Sequence, residues 1–211
     1  HRPTATTYHI AWVELLVGLG ALMADYNGIT KAGNVRDQLV ELIYYLNTMK
    51  SLCRASCMDY VVQSGLAIPN PVTANVAKYF YANNYHNIVK IVEDLSGALL
   101  TTAPGYQDWV NPETGKYLEH YLGGRDGASA EARLRVLQAL RHYPCLGTEI
   151  DVNNIHAEGS LMAERLTIWG EGRKDLELYK QLGNYLAGVT KMTDTEYQDL
   201  CRNLSHLGKG E

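Results

Sequence analysis

VTANVAKYFYANNYHNIVKIVEDLSGALLTTAP, residues 72–104, is the stretch whose reading decides the fold. Val76, Phe80, Ile88, Ile91, Leu95 and Leu99 recur at three- and four-residue steps, the period of a buried helix stripe. The spacing predicts a helix over 72–97. Pro71 can open it, because proline is tolerated in a first turn. Glu93, Asp94, Ser96 and Gly97 crowd its far end. Acids at a helix C-terminus oppose the helix dipole, so this is either a solvated accident or a site. Gly97 reads as a C-cap glycine, or as a place where a ligand or another backbone comes close.

Outward from this helix the chain keeps the same character. Residues 9–26 predict a helix apolar nearly all round, which needs protein on most sides. Gly18 and Gly20 weaken it by about 1 kcal/mol each, which close packing against another helix would offset. Asn27-Gly28 is a stop signal. Asn34 caps a helix expected to run to 64, with Leu39, Ile43, Leu46, Met49, Cys53, Cys57 and Tyr60 on one stripe. It would span about 45 Å. The short link 65–71 makes it an antiparallel neighbour of the helix over 72–97. Residues 1–8 read as an extended lead-in, because of their β-branched residues and proline.

Past residue 104 we expect a loop, a short helix over 112–122, and a helix over 129–150. Ser129 caps the last of these, Leu134, Leu137 and Leu140 face inward, and Pro144 interrupts it. Ser160 caps a helix through 168, and residues 174–189 form an amphipathic helix. Thr193-x-x-Glu196 is a capping box opening the helix 194–205. No strand and no repeat is apparent. The fold class is all-α, an up–down helical bundle built on 9–26, 34–64, 72–97 and 129–150. Residues 1–211 read as one helical domain, with 170–211 as a C-terminal helical appendage.

Composition narrows the function. The 211 residues are 46% hydrophobic and 20% charged, with net charge −4 and no basic stripe, which argues against a nucleic-acid partner. The apolar run 10–23 is short for a membrane span and carries Glu14, so it reads as a core helix and not as a membrane segment. Four cysteines show no disulfide-framework spacing and fit reduced thiols in a cytoplasm. His1 without an initiator Met suggests a fragment.

Three groups of residues carry candidate chemistry. Cys53 and Cys57, at i and i+4, can share a metal, but a site needs more ligands and none is near in sequence; core packing is the plainer reading. His1 and His9 flank Tyr8 with no local partner. In 154–160, Asn154, His156, Glu158 and Ser160 crowd Gly159 at a helix start. Backbone N–H groups there can hold an anion, and a neighbouring carboxylate can act as a base. A simple capping loop is the alternative.

Four stretches together resemble the C-terminal domain of the 4-hydroxyphenylacetate 3-hydroxylase and 4-hydroxybutyryl-CoA dehydratase family, flavoproteins related to the acyl-CoA dehydrogenases. They are ALMADYNGITKAGNVRDQL (21–39), IVKIVEDLSGALLTTAPGYQDWVNPET (88–114), LEHYLGG (118–124) and IHAEGSLMAERLTI (155–168). The resemblance implies a helical bundle that follows an N-terminal helical part and a β-barrel, both outside this chain. It implies FAD as cofactor, with Glu93, Asp94, Ser96 and Gly97 near the adenosine end of a flavin, often a neighbouring subunit's. It places His156, Gly159 and Ser160 by a flavin and makes Glu158 a candidate base. It also implies a homodimer or homotetramer, and a flavin reductase as a possible partner. The chain departs from the dehydratase branch: His1 matches an iron–sulfur ligand, but Tyr8 replaces the paired cysteine. That branch's catalytic tyrosine falls on Ala5 and its acid on Asn153. The resemblance therefore favours an aromatic-ring hydroxylase over a cluster-dependent dehydratase, with no metal. An acyl-CoA dehydrogenase-like reaction and a non-catalytic oligomerisation module are the alternatives.

Overall fold

A computed structural model describes residues 2–145 and 159–205. The order is α1 (Arg2–Tyr26), α2 (Gly33–Met58), β1 (Val61–Gln63), β2 (Leu66–Ile68), α3 (Pro71–Leu95), α4 (Tyr106–Val110), α5 (Gly115–Tyr121), α6 (Ala130–Cys145), α7 (Leu161–Gly172), a 3-10 turn (Arg173–Asp175), α8 (Leu176–Leu186) and α9 (Asp194–Ser205). The fold is the expected all-α, up–down helical bundle. The chain divides into two compact units. One comprises Thr7–Lys50 and Phe80–Ala157; the other comprises His1–Thr6, Ser51–Tyr79 and Glu158–Glu211.

The first unit is the four-helix core. Gly20 of α1 abuts Val92 and Leu95 of α3, and His9 stacks on Tyr81, so α1 and α3 run in the same direction. Lys50 pairs with Glu14 at 2.6 Å, and Tyr45 meets Phe80 with ring centroids 6.0 Å apart. Gln38 donates to Asp94 from the other end of α2, which therefore runs against both. In α6, Arg133 reaches Asn27 while Tyr143 packs edge-on against Trp12, which makes α6 antiparallel to α1. The alternation is up, down, up, down. Leu134, Leu137 and Leu140 are buried as the sequence predicts. Full burial of such a side chain contributes roughly 1.5–3 kcal/mol. Leu122, Ala130 and Leu134 form a smaller cluster with Trp109 and Leu118 beneath α4 and α5.

Several boundaries and stripes differ from the sequence expectation. Residues 1–8 are not extended: α1 begins at Arg2, and Ala5 and His9 continue its buried face. The helix is thus 25 residues, long and apolar enough to cross a membrane by length and composition. Its Val13, Leu16 and Met23 are nevertheless buried in protein, as in a core helix, while Leu15 and Leu22 are exposed, so it is not enclosed on all sides within this chain. On α2 the buried face is Val35, Leu42, Tyr45, Met49 and Ser56; Ile43, Cys57 and Tyr60 are exposed. On α3, Tyr81, Tyr85 and Val92 join Ile88 and Leu95 as the buried line, with Val76, Phe80, Ile91 and Leu99 only half-buried. Gly20 packs closely as expected, but a Cβ at Gly18 would meet open space. A helix covers Tyr106–Val110 where a loop was expected, and the next begins at Gly115 rather than 112. Pro144 lies inside the last turn of α6; the expected continuation to 150 lies outside the described residues.

The second unit holds the only strands among the described residues. α2 ends at Met58, and Val61–Gln63 pairs antiparallel with Leu66–Ile68 around Ser64 and Gly65. Both turn residues have positive φ, 51° and 75°, the requirement of a tight two-residue hairpin turn. The Asn70 side chain accepts from the N–H of Val72 and Thr73, capping α3 just ahead of Pro71. The Ser160 hydroxyl accepts from Ala163 N–H and caps α7. Thr193 and Glu196 form the predicted capping box.

Candidate functional site

The run 93–97 is a helix end satisfied from within. Ser96 is buried and donates its hydroxyl to the Val92 carbonyl at 2.7 Å. Gly97 has φ 68°, and Ala98 N–H returns to the Glu93 carbonyl. This is a left-handed helix cap, which glycine adopts without a Cβ penalty. A Cβ at 97 would meet nothing within 4 Å among the described residues, so they make no close approach there. Glu93 is half-buried, and Asp94 is exposed and accepts from Gln38 at 3.3 Å. Asn27 Nδ2 donates to the Leu95 carbonyl at 2.9 Å and closes the end of the helix.

The second run brings together side chains that local sequence does not connect. Gly159 has φ 122°, and a Cβ there would overlap the Arg2 guanidinium. Arg2 Nε donates to Asn75 Oδ1 at 3.0 Å and lies 3.9 Å from Glu164 Oε1. Glu164 is fully buried on α7, one turn past the Ser160 cap, and among the described residues neither carboxylate oxygen accepts a hydrogen bond. Burial pushes its carboxyl above the usual range, while the charges of Lys78, itself fully buried, and Arg2 pull it back. One carboxylate, two cations and an amide thus surround the start of α7. Gly159 and Ser160 sit at this helix start, and Ser160 is the cap that the sequence predicts. His156, Glu158 and Asn153 lie outside the described residues, as does His1.

Arg2, Asn75, Lys78 and Glu164 were missed by sequence reasoning. Lys78 gave the one available signal, a cation inside the buried line of α3 between Ala77 and Tyr81. Cys53 is half-buried and Cys57 exposed; neither is in a disulfide among the described residues, and no three His, Cys, Asp or Glu side chains group for a metal there. Tyr8 is 47% exposed, while His9 is fully buried and stacks on Tyr81 with centroids 4.0 Å and planes 14° apart.

The described residues thus form an up–down bundle with a glycine-bearing helix start beside two cations. The chain belongs to the family described as 4-hydroxyphenylacetate 3-hydroxylase C terminal, whose model matches residues 1–188. It is 29% identical over 202 residues to the 4-hydroxybutyryl-CoA dehydratase/vinylacetyl-CoA-Delta-isomerase of Clostridium aminobutyricum, covering 90% of this chain and 40% of that protein. It is 32% identical over 127 residues to the 4-hydroxyphenylacetate 3-monooxygenase oxygenase component of Thermus thermophilus, covering 60% of this chain and 26% of that protein. Its fold matches the crystal structure of an oxygenase component of 4-hydroxyphenylacetate 3-monooxygenase complexed with FAD and 4-hydroxyphenylacetate. There the TM-score is 0.74 at 21% identity, over 90% of this chain and 40% of that one. The chain therefore spans well under half the length of the relatives it matches.

Proposed function

We propose that this chain is the FAD-contacting and oligomerisation domain of a flavin-dependent enzyme, an aromatic-ring hydroxylase-like monooxygenase. The family match over residues 1–188 carries the reading, and a solved family member binds FAD. The α7 start suits the cofactor: its N–H groups, the Arg2 guanidinium and the Cβ-free Gly159 offer donors and positive charge to an electron-rich edge or a phosphate. Ser160 and Gly159 hold it there, with His156 alongside and Glu158 as the base. Glu93, Asp94, Ser96 and Gly97 contact the adenosine end of a flavin. Bound flavin supplies the redox chemistry; the chain orients it and shields it from water.

The full-length protein, with N-terminal and β-barrel domains preceding residues 1–211, tests this. It should purify with flavin absorbance, and Glu158→Gln should retain flavin but lose about 10²-fold or more in turnover. Protein that neither carries nor binds FAD sinks the enzyme reading and leaves an oligomerisation module. Normal turnover by Glu158→Gln removes the base and leaves only the cofactor contact.

A second reading, a dehydratase-like enzyme acting on an acyl-CoA, is favoured by the 29% identity over 90% of the chain. The half-exposed Tyr8 in place of a cysteine argues against a cluster at His1. Iron found by metal analysis of anaerobically purified protein would restore it. The exposed Val40, Ile43 and Tyr44 on α2 suit pairing of like bundles in a homodimer or homotetramer. A monomer by light scattering at micromolar concentration contradicts that. A separate flavin reductase and a cytoplasmic setting, consistent with Cys53, Cys57 and Cys201 lying outside disulfides among the described residues, complete the proposal.

A further inference from the structure

A cavity lies in the unit that holds α7, lined by residues other than those of the glycine turn. It has a volume of about 470 Å³, within the range of small-molecule sites. Arg165, Ile168, Trp169 and Gly172 recur along one face of α7 and line it, together with Tyr79 of α3 and Arg173 and Leu176 beyond the helix. The lining is mainly apolar. Trp169 is 57% exposed, an expensive ring to leave in water. The Arg173 guanidinium lies over that ring, 6.0 Å from its centroid.

The charges are the second observation. Arg165 and Arg173 form no ion pair among the described residues, in a chain of net charge −4. Of the acids near Arg173 in sequence, Glu171 pairs with Lys174 and Glu177 with Lys180, and Asp175, two residues on, forms no ion pair with either arginine among the described residues. An aromatic slot with two arginines at its edge that have no acid partner among the described residues matches a ligand that is flat and apolar at one end and anionic at the other. Guanidinium binds carboxylate and phosphate through two parallel hydrogen bonds, and it also stacks on rings.

We infer that this cavity is a binding site for an aromatic anion, a ring carrying a carboxylate or a phosphate. A nucleotide and an aryl carboxylate share that chemistry, and AMP and benzoate distinguish them. The test is titration of the full-length protein, with FAD held at saturation so that a probe does not merely replace the flavin's own adenylate. Trp169 reports binding by its fluorescence. AMP or benzoate should give a saturable change that is absent in Trp169→Phe. Arg165→Gln and Arg173→Gln should each weaken it by about tenfold or more, the scale of a lost charge-assisted hydrogen bond. Adenosine and inorganic phosphate, each holding half of the recognition, should bind at least about tenfold more weakly than AMP if the nucleotide is the ligand. All three residues are at the surface, so unchanged circular dichroism melts should accompany these losses. The inference is overturned if neither probe saturates, as when another part of the protein fills the slot, or if binding survives both arginine substitutions.

Discussion

The Arg2 guanidinium occupies the space that a side chain at Gly159 would need. A side chain at 159 would therefore have to displace the guanidinium from its hydrogen bond to Asn75. Gly159→Ala should cost roughly 1–3 kcal/mol in backbone strain alone, because φ is 122°, before the overlap is relieved. Adding Arg2→Ala removes the overlap but not the strain, so the double variant should recover only part of the loss. Urea denaturation of the four proteins in the cycle measures the coupling; strict additivity would show that the two residues do not touch.

Glu164 should make stability depend on pH. Its folded carboxyl is raised above the ordinary 4.5 by burial. The native state therefore holds its proton at pH values where the unfolded chain has released it. Stability then falls as pH rises above about 4.5 and levels off beyond the folded pKa. Glu164→Gln lacks this slope. The stability of Glu164→Gln relative to the unsubstituted protein should therefore increase between acid and neutral pH. Parallel pH curves would show that the carboxylate is not desolvated.

Gly18 and Gly20 stand two residues apart on α1 and should respond oppositely. A Cβ at 18 meets open space, so Gly18→Ala should stabilise by about 0.4–1 kcal/mol, through lower entropy of the unfolded chain. A Cβ at 20 would lie 3.3 Å from both Leu95 Cδ1 and Val92 Cγ1. Gly20→Val should overpack that contact and cost about 1–3 kcal/mol. Thermal melts of the two variants check the contrast.

Ser160→Ala removes the hydroxyl that accepts from Ala163 N–H and should cost about 0.5–2 kcal/mol. Ser160→Asp keeps an acceptor at the helix start and should restore stability, while adding a negative charge that opposes an anion there. Under the flavin proposal, the Asp variant should fold normally and hold less FAD, measured by absorbance after gel filtration.

Helices and their punctuation were legible in the sequence where the signal is local. Pro71, Asn27-Gly28, the Ser129 and Ser160 caps and the Thr193–Glu196 box all act within four residues. The hairpin was missed because the apolar period of α2 was carried on through Tyr60, although Ser64-Gly65 bears a turn composition. The start of α1 was missed because proline and three threonines in the first seven residues speak for extended chain. The Thr6 hydroxyl instead returns to the Arg2 carbonyl at 3.0 Å, and Ala5 is buried, so tertiary packing overrides the propensity. Helix stripes came out with the wrong phase on α2 because aliphatic residues outnumber buried positions, leaving Val40 and Ile43 outside. Of the candidate site, the glycine and its cap could be read. Arg2, Asn75, Lys78 and Glu164 could not, because their meeting depends on three helices and not on spacing along one.

Asn27 uses both ends of one amide: Nδ2 gives a hydrogen bond to the last turn of α3, and Oδ1 takes one from Arg133 on α6. The stacked pair His9 and Tyr81 fixes the same two helices, α1 and α3, further back along their length. With the register held at both places, a single residue inserted between them on either helix would turn everything beyond it by about 100° and shift it by about 1.5 Å. On α1 such an insertion would carry the amide away from both partners at once; on α3 it would carry the Leu95 carbonyl away from the amide. Length variation among relatives should therefore collect in the connections, such as 98–105 and 122–129, and spare the interiors of α1 and α3 between these two clasps.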